Sequence, residues 1–222
     1  MLQTVGDSWS LIAGKLPAFA IPCVRTVVLS GLAVGLSIVC GLVAVLARRS
    51  TFWLIRQPAE CYVWFIRGTP ALIQVYIVYF SLPAVGIVLS PEVAGVTALG
   101  VSSGAYMSEV FRSGLSAIPK GQYESTTAIG MSPAQAFRRI VFPQVLRIVL
   151  PAMTNETIST LKSSSLLALI TVYEITLYTK IVVAETFAPF EFYFVSTVIY
   201  LLLAHLIAWI SSMAERRYSW SV

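Results

Sequence analysis

Charge is scarce in this sequence. Only 11% of its 222 residues are Asp, Glu, Lys or Arg, against about 25% in an ordinary soluble domain. A water-bounded fold needs a charged shell, and 57% of this chain is hydrophobic. A bilayer is the solvent that fits such a composition. Histidine occurs once, at position 205 inside an apolar run, and no plausible Ser-His-Asp set is built on it. Neither a GxxxxGK[ST] phosphate loop nor an HExxH pair is present, so the chain by itself is not expected to hydrolyse ATP or any other substrate. The three cysteines, Cys23, Cys40 and Cys61, lie in apolar runs without CxxC spacing, and they read as small buried hydrophobes rather than metal or redox groups. No basic stretch precedes the first long apolar run, so a cleaved signal peptide is not expected. The net charge of +5 is then a question of where the cations sit, not a nucleic-acid signal.

The apolar runs divide the chain into about five spans. Residues 1–19 carry Trp9, Leu11, Ile12 and Leu16 among polar neighbours and read as a short interfacial helix. Thr26 to Ala47 is long enough to cross roughly 30 Å of hydrocarbon; Gly31, Gly35 and Gly41 suggest close helix packing within it, and Arg48-Arg49 stop it. Residues 50–58 form a connector ending at Pro58. The next segment, Glu60 to Leu82, is interrupted at Arg67-Gly68-Thr69-Pro70, where Thr69 can cap a helix whose first position is Pro70; Gln74, one turn on, faces into a bundle. A third span, Val93 to Val110, is rich in Gly, Ala and Ser and packs against protein rather than lipid, with Glu109 and Arg112 marking its end. A fourth runs from about Arg147, kinked at Pro151, into the 160s. At 100° per residue, Asn155, Glu156, Ser159, Thr160, Lys162 and Ser163 fall on one broad face, which must meet protein or a water-filled cavity. Residues 171–189 read as an external segment, a helix lying along the surface. The fifth span, Phe190 to Met213, holds His205 as a hydrogen-bonded packing residue, and Glu215-Arg216-Arg217 stop it.

One stretch is neither span nor plain linker. Pro119-Lys120-Gly121 breaks the preceding helix, Gln122 to Ile129 can form two turns, and Gly130 sits where a left-handed residue closes them. Ser132, Pro133 and Gln135 then make an N-cap, a first-position proline and a capping box. The second short helix carries Ala134, Phe137 and Val141 on one face, and Pro143 ends it. Glu124 falls in the first turn of the first helix, where a carboxylate favours the helix N-terminus. Lysine and arginine placement sets the orientation. With five spans and an external N-terminus, the cytoplasmic parts hold Arg48, Arg49, Arg56, Arg67, Arg112, Lys120, Arg138, Arg139, Arg147, Arg216 and Arg217, eleven of the fifteen basic residues. The positive-inside rule selects that topology, with a cytoplasmic C-terminus.

Glu124, Gly130, Ile140 and Pro143 stand at the spacing of the cytoplasmic "EAA" loop of ABC importer permeases, which this stretch resembles, with Ser125 and Thr126 in place of the two alanines. Arg67-Gly68-Thr69-Pro70, Tyr106 to Arg112, Leu150-Pro151-Ala152 with Asn155, and Lys162-Ser163-Ser164-Ser165-Leu166 are similar to runs found in the polar-amino-acid class of that family. The resemblance covers about Thr26 to Arg217. It implies an all-α integral membrane protein, a type I ABC importer-like bundle of about five transmembrane helices. On that resemblance the whole chain, 1–222, is expected to form a single permease domain with its coupling loop at about 113–143.

The resemblance also implies a mechanism: alternating access, driven by two separate ATP-binding subunits that bind the ATP and magnesium. No cofactor is expected in this chain. The other partners implied are a second permease subunit (identical or related), an extracytoplasmic solute-binding protein, an amino-acid substrate and membrane lipid, with no nucleic acid. The expected location is a bacterial inner membrane. Residues assigned to gripping the ATPase are Gly121, Glu124, Ala128, Gly130 and Met131. Those assigned to substrate are Asn155, Glu156, Ser159, Thr160, Thr69 and Gln74. Asn155-Glu156 resembles the Asn-Glu of permeases for basic amino acids and opines, and an acidic group at bilayer depth costs roughly 3 kcal/mol, so Glu156 needs either a structural partner or a cationic ligand. Lys162 lies about 120° around the helix from it and is poorly placed to pair. The rival reading is a self-sufficient secondary transporter or channel, for which the polar face of the fourth span would serve equally well.

Overall fold

The computed structural model describes the backbone of residues 2–218 and the side chains of residues 9–216; the side chains of residues 1–8 and of Arg217 lie outside the described residues. No strand occurs among the described residues. The helices are α1 (Leu2–Lys15), α2 (Ala20–Arg48), α3 (Trp53–Arg67), α4 (Ala71–Tyr76), α5 (Pro91–Ser116), α6 (Lys120–Ala128), α7 (Pro133–Ala136), α8 (Phe142–Ser163), α9 (Ile175–Thr186) and α10 (Pro189–Tyr218).

Two helical stretches, Trp9–Arg48 and Pro189–Arg216, are long and apolar enough to cross a membrane, and two bent pairs bring the number to as many as four. The third expected span, α5, is not among these and is set apart by its composition. Its small residues are turned inward: Ala94, Ala98, Ser103, Gly104 and Ala105 are buried, and α5 occupies the centre of the bundle against α2 and α8. A methyl group on Gly104 would lie 2.6 Å from Cys40 Cβ, so α2 and α5 touch almost backbone to backbone there. On α2 only Gly41 is packed in this way; Gly31 and Gly35, expected at a tight interface, are exposed with nothing near them.

Contacts along the bundle give helix directions. Arg25 meets Glu92 and Arg48 meets Glu109, so α2 and α5 run parallel. The chain between them must therefore return the length of the bundle, and it does so through α3 and α4, whose axes differ by 111°. Leu167 lies against Gly95 and Val149 against Gly114, which makes α8 antiparallel to α5. The up-down alternation expected from the apolar runs is present.

Several boundaries differ from expectation. The N-terminal helix is not a separate interfacial element, because Trp9–Arg48 forms one continuous 40-residue helical stretch; Pro17 and Pro22 fall in first turns, where a missing N–H costs no hydrogen bond. Residues 50–58 are largely helix, with Pro58 inside α3. Residues 171–189 do not lie along a surface. Ile175, Tyr178, Thr179 and Val182 of α9 are buried, packing with Phe19 and Phe192 into a cluster at the end of the bundle where α2 begins. Glu174, fully buried, caps α9 by accepting from Leu177 N and takes a second bond from the Tyr200 hydroxyl, at 2.8 Å each.

Candidate functional site

The polar face of α8 splits in two. Glu156, Ser159, Thr160 and Ser163 line a cavity of 260 Å³ whose other walls are Thr69, Ala71, Leu99, Ser102, Ser103 and Tyr106. Asn155 and Lys162 instead line a separate groove of 720 Å³ between α8, α9 and α10, together with Tyr200 and His205. Adjacent residues on a helix point about 100° apart, so Asn155 and Glu156 face different spaces. The expected single broad face is corrected accordingly, and Lys162 is removed from Glu156 as the helical geometry required.

The cavity is built from two matched stripes. On α8 the lining positions are 156, 159, 160 and 163; on α5 they are 99, 102, 103 and 106. Each follows the i, i+3, i+4, i+7 spacing of one helix face, and the helices run antiparallel, so Ser103 in the middle of one stripe meets Glu156 and Thr160 of the other. Ser103 Oγ donates to Glu156 Oε1 at 2.6 Å and lies 2.8 Å from Thr160 Oγ1. Thr160 Oγ1 also donates to the Glu156 backbone carbonyl, at 2.9 Å. Among the described residues Glu156 has no basic partner. Ser102, Ser103 and Tyr106 were not singled out as site residues from sequence, although their register on α5 matches that of the α8 stripe.

Thr69 and Gln74 have different roles. Thr69 lines the cavity, whereas Gln74 is buried behind it. Gln74 Nε2 is hydrogen bonded to Ile66 O at 2.8 Å, Thr69 Oγ1 at 2.9 Å and Thr69 O at 3.1 Å. The amide therefore clips the bend between α3 and α4 rather than facing a substrate. Pro70, not Thr69, occupies the N-cap of α4, and no side chain caps it. Thr69 donates instead to the Phe65 carbonyl at 3.0 Å.

The loop at 120–143 holds its expected turn chemistry. Gly130 has φ +72. Gly130 N bonds Thr127 O and Met131 N bonds Thr126 O, both at 3.0 Å, the paired closure of a Schellman motif. Ser132 and Gln135 form both bonds of a capping box. Other details are corrected. Helix α6 begins at Lys120 with Pro119 as its N-cap, so Glu124 lies in the second turn and no acidic residue occupies the first. On the second helix Ala136 and Val141 are the buried positions, while Ala134 and Phe137 are exposed. Pro143 does not end the helix either. A π turn at Phe137–Val141 widens the ladder just before it, and a proline N–H is not needed in the first turn that follows. Residues 133–170 are thus one continuous helical stretch.

Helix α6 has two faces. Thr126 is buried, and Gln122 accepts a bond from Gln144 Nε2 at 3.2 Å, which ties α6 to α8. Gly121, Glu124 and Ala128 lie on the opposite, exposed face, followed by exposed Ile129 and Gly130 and half-buried Met131. Glu124 makes no hydrogen bond or ion pair among the described residues.

Comparison with known proteins places these features in context. Residues 33–220 match the family described as binding-protein-dependent transport system inner membrane component. The chain is 36% identical over 181 residues to the probable amino-acid ABC transporter permease protein YckA of Bacillus subtilis (strain 168), covering 82% of this chain and 80% of that protein. It is 34% identical over 204 residues to the octopine transport system permease protein OccM of Rhizobium radiobacter, covering 88% and 82%. Its fold is similar to a chain in the crystal structure of an amino acid ABC transporter with histidines, with a TM-score of 0.86 and 33% identity over 93% of this chain and 96% of that one.

Proposed function

The chain belongs to the family of binding-protein-dependent transport system inner membrane components, and from that premise we propose how it carries its solute and how it is driven. It is the membrane-embedded permease subunit of an ATP-driven importer for polar amino acids or opines. It is not itself an enzyme, since ATP hydrolysis belongs to separate subunits.

In the reading proposed here, substrate occupies the cavity between α5 and α8. Glu156 receives a cationic group there, with Ser103, Ser159 and Thr160 supplying hydroxyls. A carboxylate without a basic partner in a polar cavity discriminates by charge, because a neutral side chain would leave it desolvated and unpaired. Basic amino acids and basic opines are the substrates this favours. Two ATP-binding subunits, holding ATP and magnesium between them, grip the exposed face of α6 through Gly121, Glu124, Ala128, Gly130 and Met131. A second permease subunit and an extracytoplasmic solute-binding protein complete the assembly. The N-terminus is external and the C-terminus cytoplasmic.

The observation that carries this reading is the continuity of residues 133–170. The helix that follows the gripped turn is the helix that bears Glu156. From Pro133 to Glu156 it extends about 35 Å at 1.5 Å per residue, so displacement of the loop moves one wall of the cavity directly. Such a lever works only when the ATP-bound and ATP-free ATPase hold the loop differently. Uptake by Glu156→Gln in the assembled transporter tests the assignment. Cationic substrates should be lost selectively while expression and ATPase association persist. Intact uptake of cationic substrates would make Glu156 a packing residue.

A further inference from the structure

The end of the substrate cavity toward the coupling loop carries an unequal charge cluster. Glu109 is the one carboxylate, and three guanidinium groups approach it. Arg48 Nη1 lies 2.6 Å from Glu109 Oε1, and Arg112 reaches Oε2 through Nη2 at 2.6 Å and Nε at 2.9 Å. Arg112 thereby fills Oε2 with two donors, and Arg48 holds the near acceptor site of Oε1. Arg67 is left with a 3.9 Å approach to Oε1, its only charged partner among the described residues. Its guanidinium instead lies over the ring of Tyr106, 5.6 Å from the centroid. Tyr106 is itself a wall of the cavity, and Thr69, two residues beyond Arg67, is another. The arrangement leaves a surplus, half-exposed cation packed on Tyr106, a wall of the cavity whose charged lining group is Glu156.

We propose that Arg67 is a carboxylate-binding subsite, so that the cavity is a two-ended clamp: Glu156 takes the cationic end of a zwitterionic substrate and Arg67 takes its carboxylate. This rests on the reading that the cavity holds the substrate. The fork of an arginine suits a carboxylate geometrically, since two parallel N–H donors meet two oxygens. Stacking on Tyr106 holds the fork without consuming its donors. The spacing is also suitable. Ser103, which holds Glu156, and Tyr106, which holds Arg67, are one helical turn apart on α5, about 5 Å along the axis. Glu156 and Arg67 are thus staggered along one face of α5, with Arg67 on the side of the coupling loop. An opine, with additional carboxylate, would engage the same end. Binding a carboxylate at Arg67 leaves Arg48 and Arg112 on Glu109, so the joint between α2 and α5 is not disturbed.

The test uses the assembled permease–ATPase complex in nanodiscs, without solute-binding protein. Equilibrium binding is measured for arginine, histidine and glutamine, each against the amine formed by removing its α-carboxylate. The wild type should bind at least one amino acid about tenfold or more tightly than its amine. Arg67→Gln should bring that amino acid down to the affinity of its amine and leave the amine within twofold of wild type. Arg67→Lys should restore part of the preference, because it keeps the charge and loses the fork. Equal weakening of amino acid and amine by Arg67→Gln would mean that Arg67 supports the fold only, and an unchanged preference would remove it from the site; either result overturns the proposal. Glu156→Gln separates the two assignments. If it leaves every affinity unchanged while Arg67→Gln still abolishes the carboxylate preference, the cation end of the clamp fails and the carboxylate end stands. If no ligand binds the wild-type complex, the cavity assignment and the clamp fall together.

Discussion

The same substitution at two glycines of one short helix should act in opposite directions. Gly121 lies in the first turn of α6 and a methyl group there would meet nothing within 4 Å; Gly130 closes the helix with φ +72, again with open space around a Cβ. Sterics against neighbours are therefore removed from both comparisons, and only backbone preference remains. At Gly121, alanine restricts the unfolded chain and suits a helix, which is worth about 0.5–1 kcal/mol in favour of the helix. At Gly130, an L-residue forced into the left-handed region costs roughly 1–2 kcal/mol, and the two backbone bonds at Thr126 and Thr127 depend on that conformation. At about 1.4 kcal/mol per factor of ten, Gly130→Ala should increase local opening of α6 roughly five- to thirtyfold, while Gly121→Ala should reduce it two- to fivefold. Hydrogen exchange of the amides from Ser125 to Met131, measured on the permease in detergent, reads this directly. Transport by the assembled complex should fall for Gly130→Ala. If Gly121→Ala stabilises α6 and transport nonetheless falls, Gly121 is needed for contact with the ATPase. Equal exchange in both variants would refute the argument that the turn is held by positive φ at Gly130.

Two further outcomes follow from the geometry. Gly104→Ala places a methyl 2.6 Å from Cys40 Cβ and 2.9 Å from the Tyr62 hydroxyl, so α2 and α5 must separate; an overpacking cost of about 1–3 kcal/mol should appear as a lower melting temperature in detergent, and an unchanged one would contradict the close approach. Cysteine labelling at Gln122 should succeed only from the cytoplasmic side of intact cells, and labelling from outside would reverse the topology proposed from the basic residues.

Much of this architecture was legible in local sequence, and what was not has physical causes. Ser132, Pro133 and Gln135 determine a capping box within four residues, and Gly130 must close a helix; such chemistry needs no tertiary information. Pro143 misled because a proline in a regular helix removes a bond, whereas the π turn at Phe137–Val141 comes just before it. Whether such a turn forms depends on packing, here the burial of Ala136 and Val141. The division of Asn155 from Glu156 depended on which neighbours fill each side of α8. A face about 160° wide read from periodicity alone cannot be assigned to one space or two. Gln74 was correctly placed inside the bundle, but its role depended on a bend of 111° between α3 and α4 that Gly68 and Pro70 permit without specifying. Residues 171–189 read as a surface-lying helix, and only tertiary packing supplies the Tyr200 hydroxyl that makes the burial of Glu174 tolerable.

The central claim is that this chain moves solute only when a separate ATPase drives it through the loop at 120–143. The most direct measurement is amino-acid uptake into proteoliposomes holding the permease alone, and then the permease with its ATP-binding subunits and solute-binding protein. The account predicts no uptake by the permease alone under any proton or sodium gradient, and ATP-dependent uptake by the full assembly that is lost when the ATP-binding subunits are omitted. Robust uptake by the permease alone, driven by an ion gradient, would contradict it.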